Sequence, residues 1–181
     1  MESGSTQIMQ AWDANLGEGQ RRIYLDYWDY IDEAARIRQN MHVQMGQKGR
    51  PMKDDLRANK MGLAGEFEFA WRFNSQVDMT LRPFGDGGVD FTINGYTIDV
   101  KTAEKPWYLL YLEEKLPVVA DIYVLAGCNL EDKRTWLIGW AWGEDLERGE
   151  VKEFIRGYWN RAIHHSKLRS LDSLREILDV Q

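Results

Sequence analysis

Apolar residues fall at Ile23, Tyr24, Tyr27, Trp28, Ile31, Ala34 and Ala35, the spacing that lays a single stripe along a helix. A long amphipathic helix is therefore expected from Arg21 towards Met45, with its aromatic stripe in the core. The first twenty residues mix Ser, Gly, Gln and Asn without a sustained period, which predicts a weakly ordered start. Residues 46–51 read as a loop, and Asp54 or Asp55 can cap a second helix reaching about Phe73.

Past Asn74 the period shortens to two. Strands are expected at residues 79–84, 89–93, 96–102, 108–112, 120–128 and 135–142, with Gly85-Asp86-Gly87-Gly88 and Asn94-Gly95 as turns. From Glu144 onward the chain reads as mostly helical, ending on the stripe Leu168, Leu171, Leu174 and Leu178. No internal repeat or low-complexity segment interrupts this order.

Composition narrows the class. A chain of 181 residues with 44% apolar content suffices for one well-packed domain. Its longest mostly apolar stretches, such as 117–127, fall short of the roughly 20 residues of a membrane span, and none follows the start. A soluble, cytoplasmic protein without a membrane partner is expected. Cys128 stands alone in an apolar run, so it reads as an inert buried residue and not as a disulfide or zinc ligand. The net charge of −6 argues against nonspecific coating of nucleic acid. Basic residues do cluster at Arg21-Arg22, 48–60 and 161–169, although each cluster equally fits a solvated helix face.

Candidate chemistry lies on the hairpin. Asn94-Gly95 as a two-residue turn pairs Ile93 with Tyr96, and counting outward sets Asp90 opposite Asp99. Alternation then places Val89, Phe91, Ile93, Tyr96, Ile98 and Val100 on one face, and Asp90, Thr92, Thr97, Asp99 and Lys101 on the other. Carboxylates so paired have Cβ atoms about 5 Å apart. They would repel by roughly 3 kcal/mol at an effective dielectric of about 20. A divalent cation turns that repulsion into coordination, and magnesium suits an oxygen donor set that keeps waters and open positions for phosphate. Lys101 could orient or deprotonate the attacking water, or stabilise charge on the phosphate. The alternative is a solvated hairpin on which Lys101 merely offsets Asp99. Glu66 interrupts an apolar stripe in Gly62-Leu63-Ala64-Gly65-Glu66-Phe67, so this acid can point into the same site; Glu68 competes for that role.

Gly88-Val89-Asp90 followed by Ile98-Asp99-Val100-Lys101, with Glu66 on the preceding helix, resembles the PD-(D/E)xK nuclease superfamily, which includes many restriction endonucleases and phage or repair exonucleases. The likeness spans about residues 61–142, and Val89 stands where the motif's name has proline, a variation that the superfamily tolerates. It implies Asp90 and Asp99 as metal ligands, the Val100 carbonyl as a further one, Glu66 as an auxiliary ligand or water positioner, and Lys101 as catalytic. Gly-x-x-Gly-Glu, Asp-Val-Lys-Thr and the tail around His165-Ser166-Lys167 look most like small phage or prophage nucleases.

Other residues carry weaker signals. His164 and His165, with Lys167 and Arg169 nearby, could approach a scissile phosphate or form a solvated helix end. Trp107, Tyr108 and Tyr111 could flank an unpaired strand. Trp136, Trp140 and Trp142 share a face of a regular strand, for core packing, base stacking or a dimer contact.

The expectation is thus an α/β fold with a restriction-endonuclease-like core, a central mixed β-sheet flanked by helices. Residues 1–50 form an N-terminal helical extension, 51–145 the nuclease core and 146–181 a C-terminal helical segment of one compact domain. The expected function is Mg2+-dependent hydrolysis of DNA, with Mn2+ as a substitute, RNA an alternative substrate and a homodimer an open state. A catalytically silent nucleic-acid-binding or assembly protein on the same fold is the rival. A glycosidase using Asp90 and Asp99 is the less favoured enzyme, since Lys101 shares their face.

Overall fold

The structure, a computed structural model, describes residues 18–44, 55–78, 87–104 and 109–180. Strand 79–84, Gly85 and Asp86 of the glycine turn, Trp107, Tyr108, the loop 46–51, Asp54 and residues 1–17 lie outside the described residues.

The helical period forms α1 (Glu18–Gln44) and α2 (Asp55–Arg72), close to the expected ends. Trp28, Ile31, Ala34 and Ala35 of α1 meet Leu63, Ala64 and Phe67 of α2, with Cys128 beneath them. From Trp28 to Ala35 the stripe is core as expected, with Tyr27 half-buried beside it. Fully burying a side chain such as Leu63 or Phe69 stabilises by about 1.5–3 kcal/mol. Polar pairs rim the contact: Asp32 with Lys60 at 2.7 Å and Gln39 with Asn59 at 3.0 Å.

Five strands follow: β1 (Phe91–Ile93), β2 (Tyr96–Ala103), β3 (Leu109–Glu113), β4 (Ile122–Asn129) and β5 (Arg134–Trp142). Four of them make a mixed sheet in the order β1-β2-β4-β5, with β2 and β4 parallel and the other pairs antiparallel. The fold is α/β, as expected.

Beyond Glu144 the expected run of helix is replaced by a short α3 (Gly143–Glu147), β6 (Glu150–Ile155), β7 (Tyr158–His164), a 3-10 turn (His165–Lys167) and α4 (Leu171–Leu178). Helix-favouring Glu, Lys and Arg in this segment yield to pairing: β7 lies between β3 and β6 in a second, antiparallel sheet. Helices α2 and α4 therefore cover one face of the central sheet, and β3 with the short α3 covers the other. On the first face Phe69, Ala70 and Phe73 of α2 and Leu174 and Leu178 of α4 pack against Ile98, Val100, Val124, Ala126 and Trp140. On the other, Tyr123, Leu125 and Ala141 meet Leu110 and Leu112 of β3 and Leu146 of α3.

One close approach and one turn set this packing. A Cβ on Gly65 would overlap Thr102 Oγ1 and lie 3.3 Å from Ala126 Cβ, so α2 sits on β2 and β4 only with glycine there. Asn94 and Gly95 take φ of 47° and 89°, the turn that closes β1 on β2. Asn94 Nδ2 also donates to the Leu178 carbonyl at 2.7 Å, tying the hairpin to the end of α4.

Candidate active site

The hairpin register matches the expected one from the turn outward: Ile93 pairs with Tyr96, Thr92 with Thr97 and Phe91 with Ile98. The next step departs from a regular ladder, and Asp90 is not the direct cross-strand partner of Asp99 that the turn register predicts. Asp90 N–H donates to the Ile98 carbonyl at 2.8 Å, and Asp90 Oδ2 accepts the Val100 N–H at 2.7 Å. The Asp90 carboxylate thus supplies the acceptor that the backbone of a longer β1 would have offered. Val89 turns away from its expected face and packs with the Tyr123 and Leu125 cluster.

Asp99 is 3% exposed, so the polar face of the hairpin is buried at Asp99 while Thr92 near the turn is exposed. In the parallel pairing Asp99 stands beside Tyr123, and Lys101 beside Leu125, on the face roofed by β3. Lys101 Nζ reaches both oxygens of Asp99, at 2.7 and 2.6 Å. Burial pulls the Lys101 pKa down, but the charge of Asp99, its hydrogen bond and the charges of Asp90 and Tyr123 together outweigh it and hold the pKa above the ordinary lysine value. Lys101 is accordingly a cation at neutral pH, and both aspartates lie within its electrostatic reach.

These residues offer hard oxygen donors. Val100 directs its N–H to Asp90, so its carbonyl faces the same edge of β2, and Asp90, Asp99 and that carbonyl could together hold a divalent cation that keeps several waters. The donor chemistry fits magnesium or manganese. Among the described residues, no three His, Cys, Asp or Glu side chains converge as a metal cage.

Glu66 is not brought together with the two aspartates. It is 9% exposed on α2, the helix that covers the Val100 face, and its oxygens accept from Arg38 at 3.2 and 3.3 Å. Its competitor Glu68 is 5% exposed and accepts from Arg72 Nε at 2.6 Å. Burial raises the Glu68 pKa above the ordinary carboxyl value despite the opposing charge and hydrogen bond of Arg72. An acid inside the apolar stripe is thus satisfied by an arginine in both cases.

The remaining candidates are spread over the second sheet and its continuation. His164 ends β7 opposite Leu109 and accepts the Ser166 N–H at 3.3 Å; its ring lies 4.2 Å from that of His165. Lys167 is exposed, and Arg169 pairs with Asp145 at 2.5 Å while lying 5.2 Å over the Trp140 ring. The tryptophans do not share one face. A register shift inserts Ile138 between Gly139, which pairs with Leu125, and Leu137, which pairs with Ala126. Trp140 and Trp142 stay with the helix-side core, whereas Trp136 lies over Gly127.

Two features escaped the sequence reading. Thr97, placed on the chemical face, is clamped to Asp121: Thr97 N–H and Oγ1 donate to Asp121 Oδ2 at 2.8 and 2.7 Å, and Asp121 N–H returns a bond to Oγ1 at 3.0 Å. Tyr123 is fully buried, and its hydroxyl accepts from Val119 N–H at 3.1 Å and Ala120 N–H at 3.4 Å. A phenol within the aliphatic run of β4 was the available signal, since a buried tyrosine hydroxyl needs a partner. No family model, curated protein or solved structure matches the chain.

Proposed function

We propose that this chain is a metal-dependent nuclease that hydrolyses phosphodiester bonds in DNA. The observation that carries the reading is the buried Asp99 paired with the half-buried Lys101 on one hairpin face, with Asp90 at the open end of the same hairpin. In this reading the helix α2, the hairpin and β4 correspond to a restriction-endonuclease-like core of the phage or prophage type, working in the cytoplasm of a bacterial or phage-infected cell. Among the described residues no helix is long and apolar enough to cross a membrane.

Asp90, Asp99 and the Val100 carbonyl would hold Mg2+, or Mn2+ in its place. The cation supplies charge to the phosphoryl oxygens and acidity to the attacking water. Lys101, held protonated, donates hydrogen bonds and positive charge to the attacked phosphate or to the water lined up against it. The deprotonating role is the less favoured of its two, because Asp99 and Asp90 keep the proton on Lys101. Glu66 remains with Arg38 and outside this set. Trp107, Tyr108, His164, His165, Lys167 and Arg169 are proposed as substrate contacts, with Arg169 the weakest because Asp145 already engages it.

One observation favours a silent binding or assembly protein: the Lys101 ammonium already occupies both oxygens of Asp99. Calorimetric titration with Mg2+ separates the readings. The nuclease binds the cation in wild type and loses it in Asp99→Ala; a silent protein shows no saturable site in either. Linear and circular, single-stranded and duplex DNA, with RNA alongside, then define the substrate, and survival of circles while linear ends are consumed marks an exonuclease. Size measurement with and without duplex decides whether the active form is a homodimer.

A further inference from the structure

We infer that Tyr123 is a positioning residue for the proposed metal site, acting through Val119 on the turn that carries Asp90. The inference rests on the nuclease reading above.

Three elements meet at residues 118–121. The Tyr123 hydroxyl accepts the N–H groups of Val119 and Ala120. Gly143 packs so tightly under Ala120 that a Cβ there would overlap the Ala120 carbonyl, and its N–H donates to the Asp121 carbonyl at 2.7 Å. The Asp121 side chain is held by Thr97 of β2. These restraints satisfy the buried Tyr123 hydroxyl, and they also hold a segment in which Val119 is 45% exposed. The restraints fix the backbone from which the Val119 side chain projects. Its Cγ2 would lie 3.0 Å from a Cβ on Gly88, a residue with φ of 84° two positions before Asp90.

Tyr123 is therefore placed to act on the surroundings of both carboxylates. It stands beside Asp99 in the parallel register, and through Val119 it backs the glycine turn that aims Asp90. Asp90 is set from two directions: by Val100 and Ile98 on the hairpin side, and by Val119 behind Gly88. Removing the hydroxyl frees the amides of Val119 and Ala120 and lets the turn widen, while the Asp99 and Lys101 pair stays.

The test is Mn2+ binding to the full chain, followed by electron paramagnetic resonance, for wild type, Tyr123→Phe, Val119→Ala and Asp99→Asn, with thermal unfolding measured in chelator. Tyr123→Phe and Val119→Ala should each weaken Mn2+ by about tenfold, the lower end of the loss on removing an outer-shell support. Val119→Ala, an exposed position, should do so with no change in Tm, which a purely structural role for the contact would not produce. Wild-type affinity in folded Tyr123→Phe, or in Val119→Ala, overturns the inference while Asp99→Asn still abolishes binding. Absence of Mn2+ binding in wild type, or full binding in Asp99→Asn, overturns the nuclease reading itself and this inference with it.

Discussion

Asp90 Oδ2 accepts the backbone N–H of Val100 at 2.7 Å, so the carboxylate that ends β1 also completes the hydrogen bonding of β2. The contact gives Asp90 a structural role, and two substitutions separate it from the proposed chemical one. Asp90→Ala leaves the Val100 amide without this acceptor and should cost about 1–3 kcal/mol in urea unfolding. Asp90→Asn keeps an acceptor oxygen and should unfold near wild type, yet lose most Mn2+ affinity because the charge is gone. Equal metal affinity in Asp90→Asn and wild type would assign Asp90 to structure alone.

Glu68 should make stability fall as pH rises. Its folded pKa lies above the ordinary 4.5, chiefly through burial, so between that value and the raised one the unfolded state releases its proton first and gains relative stability. Glu68→Gln removes this effect and keeps an acceptor for Arg72. Its stability relative to wild type should therefore improve from pH 4 to pH 7. A difference that stays constant, or moves the other way, would show that Arg72 outweighs burial.

Cys128 should be inert in the native protein. Burial pushes its thiol up to about 11, with the Thr135 hydroxyl 3.9 Å from the sulfur. Thiol reagents at pH 8 should label it only at the rate of unfolding, and rapid labelling without denaturant would contradict the packing of Cys128 beneath Leu63 and Phe67.

Gly65→Ala should destabilise the contact of α2 with the sheet. The added methyl meets Thr102 Oγ1, a buried hydroxyl without a hydrogen-bond partner among the described residues. Overpacking of this kind costs about 1–3 kcal/mol. Pairing Gly65→Ala with Thr102→Ala should recover part of the loss, which denaturation of both variants would measure.

The helices, the strands from Phe91 to Trp142 and the hairpin register were legible because Asn94-Gly95 fixes local geometry and alternation fixes the faces. Asp99 and Lys101 on one face followed directly. The departures share one physical origin, contacts made outside the local window. Asp90 leaves the ladder because its side chain finds the Val100 amide, Trp136 changes face because Ile138 is an extra residue, and β7 is a strand because it pairs with β3 on one side and β6 on the other. Glu66 read as a metal ligand from its place among apolar residues, but the pattern could not reveal that Arg38, 28 residues earlier, would meet it.

The most direct test is cleavage of DNA by the purified chain in Mg2+, with Asp99→Ala and Lys101→Ala measured alongside and chelator as control. The account predicts cleavage by wild type that stops with chelator and is lost in both variants while each remains folded. Intact DNA with wild-type protein in Mg2+ and in Mn2+, or wild-type rates in either variant, would contradict it.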